Sequence, residues 1–377
     1  MPRLAQVPTA PSRSVPPGAR RWADAGFALP TVLLLVVLLT ALLTTGLTRA
    51  AADRQVAGAS EATATATAVA WNGLQTYFNT VNLDACERPS RPVDGDSVRI
   101  NVPGGYADIV ARVVKRPVDS LANWLYVVRA DGYVIQPATG PTPVARQTVA
   151  QYAEWQSGRL SLPGAFTATN GLTRISGGTG ELRGADEHPT VSCQRPAKYA
   201  LRVTASVPSL SGYNIYGLAP LGGGSGAAIV TAAGIDWAAT LAPGGIVPDF
   251  TSVQPGNMTY PVVLVTGNAT LGAPGATTTG TGLLIVSGDL TVLGTFVQWY
   301  GVVLVGGRIR FDADDQRFDG LVASGLNVQL GGTPPTGEIG GDYTDIDYNS
   351  LYVARAMRPL AGFTAVPNTY TNQWKAY

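Results

Sequence analysis

The longest apolar run lies between Gly26 and Leu47, GFALPTVLLLVVLLTALLTTGL, and carries no charge. At 1.5 Å per residue, a helix over Phe27–Leu47 spans roughly 30 Å, the thickness of a bilayer's hydrocarbon core. Arg20 and Arg21 precede it and favour keeping that end on the cytoplasmic side. Beyond Leu47 the helical pattern continues. Ala50–Ala70 is alanine-rich and lacks proline, and Trp71, Leu74, Tyr77 and Phe78 recur at helical spacing. The pattern predicts one helix over 27–80, its first half apolar and its second half docked on a globular head. Gly46, Gly58 and Gly73 are soft points in it. Two other accounts of the apolar run stay open. A cleaved secretory signal has a shorter apolar core, although Ala50-Ala51-Ala52 offers a small-residue site. A plain membrane anchor needs nothing further.

After residue 80 the periodicity shortens. Ser97–Val102 and Tyr106–Val114 read as strands, and Trp124–Arg129 and Tyr133–Gln136 as a hairpin about Asp131-Gly132. Gln147–Trp155 reads as a short helix, 163–196 as a glycine-rich loop, and Lys198–Val207 and Tyr213–Leu218 as further strands. The run LGGGSG (221–226) marks a boundary. Beyond it VVLVTGNATL (262–271), LLIVSGDLTV (283–292), VVLVGGRIRF (302–311) and GLVASGLNVQL (320–330) share one pattern, an apolar run closed by glycine and then a second short strand. Gly267, Gly288, Gly307 and Gly325 lie 21, 19 and 18 residues apart. A period near twenty residues predicts a β-solenoid, in which stacked coils bury what one coil cannot; a β-sandwich meander would turn more often. Asn349–Pro359 reads as a short helix with Val353, Ala356 and Met357 inward. Phe363, Tyr370, Trp374 and Tyr377 mark a docked strand or cap. The predicted class is α+β: a long N-terminal transmembrane helix on an antiparallel sheet, plus a β-solenoid of about four coils. The divisions are 1–26 as a leader, 27–80 as the helix, 81–222 as a β-rich head, 223–341 as the solenoid and 342–377 as a helix and strand returning to the head.

Charge narrows the chemistry. The net charge of +1 includes a leader of +3, which leaves −2 from Phe27 onward. That is not the footprint of a generally basic nucleic-acid binder. Residues 86–205 carry fourteen Lys and Arg against ten Asp and Glu, with Arg112, Lys115 and Arg116 as the nearest thing to a DNA-facing patch. Cys86 and Cys193 most simply form one disulfide, the alternative being two buried thiols. His188 lies beside Pro189 and reads as solvated. No catalytic motif, phosphate loop or zinc spacing appears, so no cofactor is expected. The run FDADDQRFDG brings Asp312, Asp314, Asp315 and Asp319 close in sequence and offers oxygen ligands to calcium. Its arginines, Arg310 and Arg317, favour ion pairs instead. Asp342, Asp345 and Asp347 form a second acidic group. Polysaccharide-degrading enzymes on a β-helix need paired carboxylates on successive coils, and none is evident from spacing.

The Gly26-Phe27 junction ahead of the apolar run resembles the processing site of type IV prepilins, cut after the glycine to leave an N-terminal phenylalanine. With a pilin-sized head and a glycine-rich repeat, the chain resembles the large minor pilins of competence-associated type IV pili. The resemblance implies that Gly26 and Phe27 are the cleavage and N-methylation site. It implies a prepilin peptidase, other pilins and the pilus assembly machinery as partners, and extracellular DNA as a ligand. The implied location is the inner membrane before assembly, then the pilus and cell surface. Major pilins carry glutamate at the fifth mature position, where this chain has Thr31, a departure associated with tip subunits. The expectation is a non-enzymatic minor pilin presenting the solenoid for adhesion or DNA capture in natural transformation. The alternatives are a membrane-anchored β-helix carbohydrate-active enzyme and a pseudopilin of a type II secretion system.

Overall fold

The computed structural model describes residues 28–117, 123–135, 140, 142–158, 160–175 and 177–372. The Gly26-Phe27 junction, the leader, Trp374 and Tyr377 lie outside the described residues. Two compact units are present, 1–62 and 63–377.

Helix α1 (Ala28–Phe78) covers the predicted span. Residues 31–61 are exposed, and the helix is long and apolar enough to cross a membrane. The hydroxyls of Thr40, Thr44, Thr45 and Thr48 donate to carbonyls one turn back, so they need no water in an apolar medium. From Ala66 a buried stripe begins: Ala66, Val69, Ala70, Gly73, Leu74, Tyr77 and Phe78. This spacing of three and four puts them on one helical face.

That face packs on an antiparallel sheet of β1 (Ser97–Val102), β2 (Gly105–Lys115), β3 (Trp124–Val134) and β4 (Ala145–Ser157). Two of these strands correct the sequence reading. Asp131-Gly132 is not a turn, because β3 runs straight through it. A Cβ on Gly132 would lie 2.3 Å from the Ala66 carbonyl and 2.4 Å from the Ala70 nitrogen. The glycine serves close approach of helix to sheet. Gly73 does the same from the helix side, where a Cβ would meet that of Ala107 at 2.3 Å. Residues 147–155 are strand rather than helix: Val149, Gln151, Ala153 and Trp155 are buried at alternate positions facing α1.

From residue 164 the chain builds two parallel sheets that it visits in turn. In order the elements are β5 (Gly164–Ala168), β6 (Leu172–Arg174), β7 (Thr179–Arg183), β8 (Tyr199–Val203), β9 (Tyr213–Tyr216), α2 (Gly226–Ala232), α3 (Trp237–Leu241), β10 (Val262–Val265), β11 (Ala269–Leu271), β12 (Thr277–Val286), β13 (Leu290–Val292), β14 (Phe296–Val305), β15 (Ile309–Phe311), β16 (Asp315–Ser324), β17 (Gly337–Ile339) and β18 (Tyr343–Asp347). The larger sheet runs β10-β12-β14-β16-β18-β7-β9, with β5 and β8 continuing from β16; the smaller runs β11-β13-β15-β17-β6. Residues 163–196, read as loop, thus contain three strands. The boundary drawn at 222/223 is not where sheet membership changes, because β5–β9 pair with strands on the far side of it. The fourth repeat also departs from the pattern. After Gly325 it forms a 3-10 turn over Leu326–Leu330, and β17 comes later.

Within the long strands, Gly282, Gly301 and Gly320 stand in register at φ +104°, +139° and +148°. A side chain there is excluded on two grounds: the backbone conformation is open mainly to glycine, and a Cβ on Gly320 would lie 1.8 Å from the Gly301 carbonyl.

The connectivity places both ends of this stack together. The chain enters at β5, builds toward β9, and crosses by α2 and α3, where buried Trp237 donates to Asn327 at 2.8 Å. It then returns from β10 through β18. Strands β5 and β18 both pair with β16, so the chain enters and leaves at the middle of the stack. Helix α4 (Ser350–Met357) follows, with Ala356 and Met357 buried, and then β19 (Ala361–Ala365) and β20 (Thr371–Asn372) pair with β4. The parallel sheets are therefore inserted between two adjacent strands of the antiparallel one. Phe363 on β19 is met by Trp155, Tyr126, Tyr77 and Phe78 at centroid distances of 5.1, 5.3, 5.5 and 5.6 Å. Phe363→Ala should cost roughly 3 kcal/mol by urea unfolding, from lost burial and lost ring contacts. A loss below about 0.5 kcal/mol would show that β19 does not hold this sheet.

Candidate functional site

The outward positions of the larger parallel sheet carry the chain's densest set of ionisable groups among the described residues. Alternation sends Trp299, Phe318, Ile346 and Leu182 into the core. The residues between them form two rows in register. One row reads Gln298, Arg317, Asp345, Glu181 and Asn214; the next reads Tyr300, Asp319, Asp347, Arg183 and Tyr216. Neighbours along a row lie one strand spacing apart, about 4.8 Å. Glu187 reaches in from beyond β7.

Two arginines hold the carboxylates. Arg317 makes a two-point contact with Asp319 at 2.9 and 3.0 Å and lies 3.5 Å from Asp347. Arg183 meets Glu181 at 2.6 Å, Glu187 at 2.7 Å and Asp347 at 3.5 Å. Five carboxylates against two guanidiniums leave an acidic excess. Asp347 carries the strain of it. Burial, then the charge of Glu187, pushes its pKa up to about 7. Asp345 is raised as well, by burial first. The Asp319 contact holds Arg317 firmly protonated. The group therefore pairs a carboxyl that keeps its proton near neutrality with an ionised one beside it, the arrangement that separates acid from base. Aromatic rings flank it: Tyr352 lies 4.9 Å from Tyr300, and Arg183 sits 4.3 Å over Tyr216.

The residues singled out by sequence are placed differently. Asp312 and Asp314 are exposed, with Asp312 paired to Arg310 at 3.1 Å, and Asp315 opens β16 opposite Phe296 and Tyr343. They do not form a ligand set. The carboxylates that do converge, within 4.8 Å of one another, are Glu187, Asp319 and Asp347. They take one residue from each acidic run and one from neither. Paired carboxylates on neighbouring strands, judged absent from spacing, are thus present as Asp319 and Asp347. A calcium ion in this trio would compete with two guanidiniums already there. The signal available in sequence was alternation, Asp-x-Arg-x-Asp in β16 against Asp-x-Asp in β18; Glu187 had none.

Arg112 is exposed on β2, and Lys115 and Arg116 follow at its end. A bulge between Val113 and Lys115 sets Lys115 opposite Leu125, on the face that Arg112 shares. His188 is buried rather than solvated: its Nδ1 accepts from the Thr190 nitrogen at 3.0 Å. Cys86 and Cys193 form a disulfide with Cα atoms 5.5 Å apart. Beside it Arg355 of α4 clasps Glu87 through two contacts of 2.8 Å.

No protein-family model matches the sequence, and no curated protein matches it. Among solved structures, an ice-binding protein from an Arctic yeast, LeIBP, is similar over 50% of this chain and 94% of its own, at 13% identity and a TM-score of 0.29. A likeness of that size supports no conclusion about ligand or fold.

The raised pKa of Asp347 has a signed consequence. Between about pH 4 and 7 the folded state holds a proton that the unfolded chain releases, so stability falls as pH rises across that window. Asp347→Asn should remove that fall, making the variant relatively more stable at pH 8 than at pH 5 when each is compared with the parent by thermal unfolding. Parallel pH profiles for the two proteins would contradict the assignment.

Proposed function

We propose that the chain is a minor, type IV pilin-like surface protein that presents a β-solenoid for adhesion or DNA capture in natural transformation. The observation that carries this reading is α1. One helix joins a charge-free apolar segment to a buried stripe on an antiparallel sheet, and it follows directly on the Gly26-Phe27 junction. The reading takes the two parallel sheets as coils of a solenoid. It also takes the insertion between β4 and β19 as the way a pilin head carries a large accessory part without losing its own sheet. Arg112 and Lys115 are the local cations offered to DNA. Contacts of this kind are weak and salt-dependent, because phosphate neutralisation supplies the affinity. The inner membrane before assembly, a prepilin peptidase and other pilins belong to the same proposal.

A second reading is favoured by one observation, the adjacent Asp319 and Asp347. On it the chain is a membrane-anchored carbohydrate-active enzyme, Asp347 donating a proton to a glycosidic oxygen and Asp319 acting as the ionised partner.

Removing the gene separates the two. The pilin reading expects surface piliation or transformation to fall and to be restored by the gene carrying both Asp319→Asn and Asp347→Asn. Unchanged piliation and transformation, with polysaccharide cleavage by the purified protein abolished by either substitution, would overturn it in favour of the enzyme.

A further inference from the structure

Where the parallel stack joins the antiparallel sheet, the second unit encloses a cavity of about 620 Å³. Its walls come from the loop after α1, the chain between β4 and β5, the segment before β8, and α4. The size falls in the range that holds a small organic ligand. Arg88, Arg195 and Lys198 line it, and no carboxylate does among the described lining residues. Arg88 is paired with Asp84 at 2.9 Å. Lys198 is not paired: its Nζ donates to the Leu162 carbonyl at 2.6 Å and lies 5.1 Å over the Tyr348 ring, with no carboxylate in ion-pair range among the described residues. Burial, then the neighbouring Arg195, pulls the pKa of this ammonium down. An anion in the cavity would reverse that effect.

A second observation is independent of charge. Ser350 lines the same cavity and is 7% exposed, yet its Oγ has no hydrogen-bond partner. Its backbone nitrogen is satisfied by Asp186 at 2.9 Å, so the hydroxyl alone is left. A buried hydroxyl without a partner is costly unless something supplies one. The remaining walls are apolar, with Leu160, Val353 and Met357 among them.

We propose that this cavity binds a phosphate monoester on a small organic body, with Lys198 and Arg195 on the phosphate and Ser350 Oγ donating to it. Two unneutralised cations match a dianionic headgroup. Lysine supplies a point charge and arginine a fork, both suited to phosphate oxygens. The apolar walls and the Tyr348 ring take the body. The proposal is independent of the pilus reading. The same chemistry is presented by a free mononucleotide and by a 5′-phosphorylated DNA end.

The test uses the full chain in detergent, titrated calorimetrically with thymidine 5′-monophosphate and with thymidine. Saturable binding of the monophosphate and none of thymidine is expected, with Lys198→Met and Arg195→Gln each weakening it about tenfold or more, as loss of a charged hydrogen bond implies. Because Lys198→Met removes a buried contact, its thermal unfolding is measured beside Arg195→Gln, which alone keeps the test valid if the former fails to fold. Competition by a 5′-phosphorylated oligonucleotide, but not its 5′-hydroxyl counterpart, would identify a strand end as the source; no competition would identify a free small molecule. Equal binding of thymidine, no saturable binding of the monophosphate, or full affinity in Arg195→Gln would overturn the proposal.

Discussion

The pairing of β19 with β4, locked by Phe363 among four aromatic rings, is the contact on which the rest of the structure depends. Two of those rings belong to α1 and two to the sheet. The residue that closes the helix–sheet core therefore arrives only after the chain has completed some two hundred residues of parallel strands. The inserted stack can be long because its ends meet: β5 and β18 flank the same strand, and Gly158 to Gly164 is all that separates β4 from the stack on one side. The disulfide and the Glu87–Arg355 clasp sit near this junction and tie the loop after α1 to both the stack and α4. A disulfide closing 107 residues removes much unfolded-state freedom, worth roughly 2–5 kcal/mol by the chain-entropy account.

The stack itself rests on a different balance. Its interior is close-packed aliphatic side chains, with glycines stacked where a long strand bends. Its outer face carries buried carboxylates held by two arginines. Such networks contribute little net stability, since desolvation offsets attraction, but losing one member leaves a charge uncompensated. A face of this kind is better explained by use than by folding, and both functional readings draw on what the stack displays.

Elements whose signal is local were legible in the sequence: the apolar helix, the strands at 97–102 and 106–114, the repeat beyond 262 and the helix near 350. The misreadings share one cause. Asp131-Gly132 has turn chemistry, yet Gly132 was needed under Ala66 and Ala70, a contact between residues more than sixty apart. The segment 147–155 has helical composition, yet its pairing with β3 and β19 overrides propensity. Strands β5–β7 are short and glycine-rich, and nothing local says that they continue a repeat found a hundred residues later. The acidic face was half legible: both acidic runs stood out, but convergence on Asp319, Asp347 and Glu187 is a matter of register. The cationic cavity left no sequence pattern, because its lining comes from five separated segments.

The most direct test is the N-terminal residue of the protein recovered in sheared surface filaments. The account predicts a mature chain beginning at Phe27. A chain beginning between Ala51 and Asp53, or an uncut chain confined to the membrane, would contradict it.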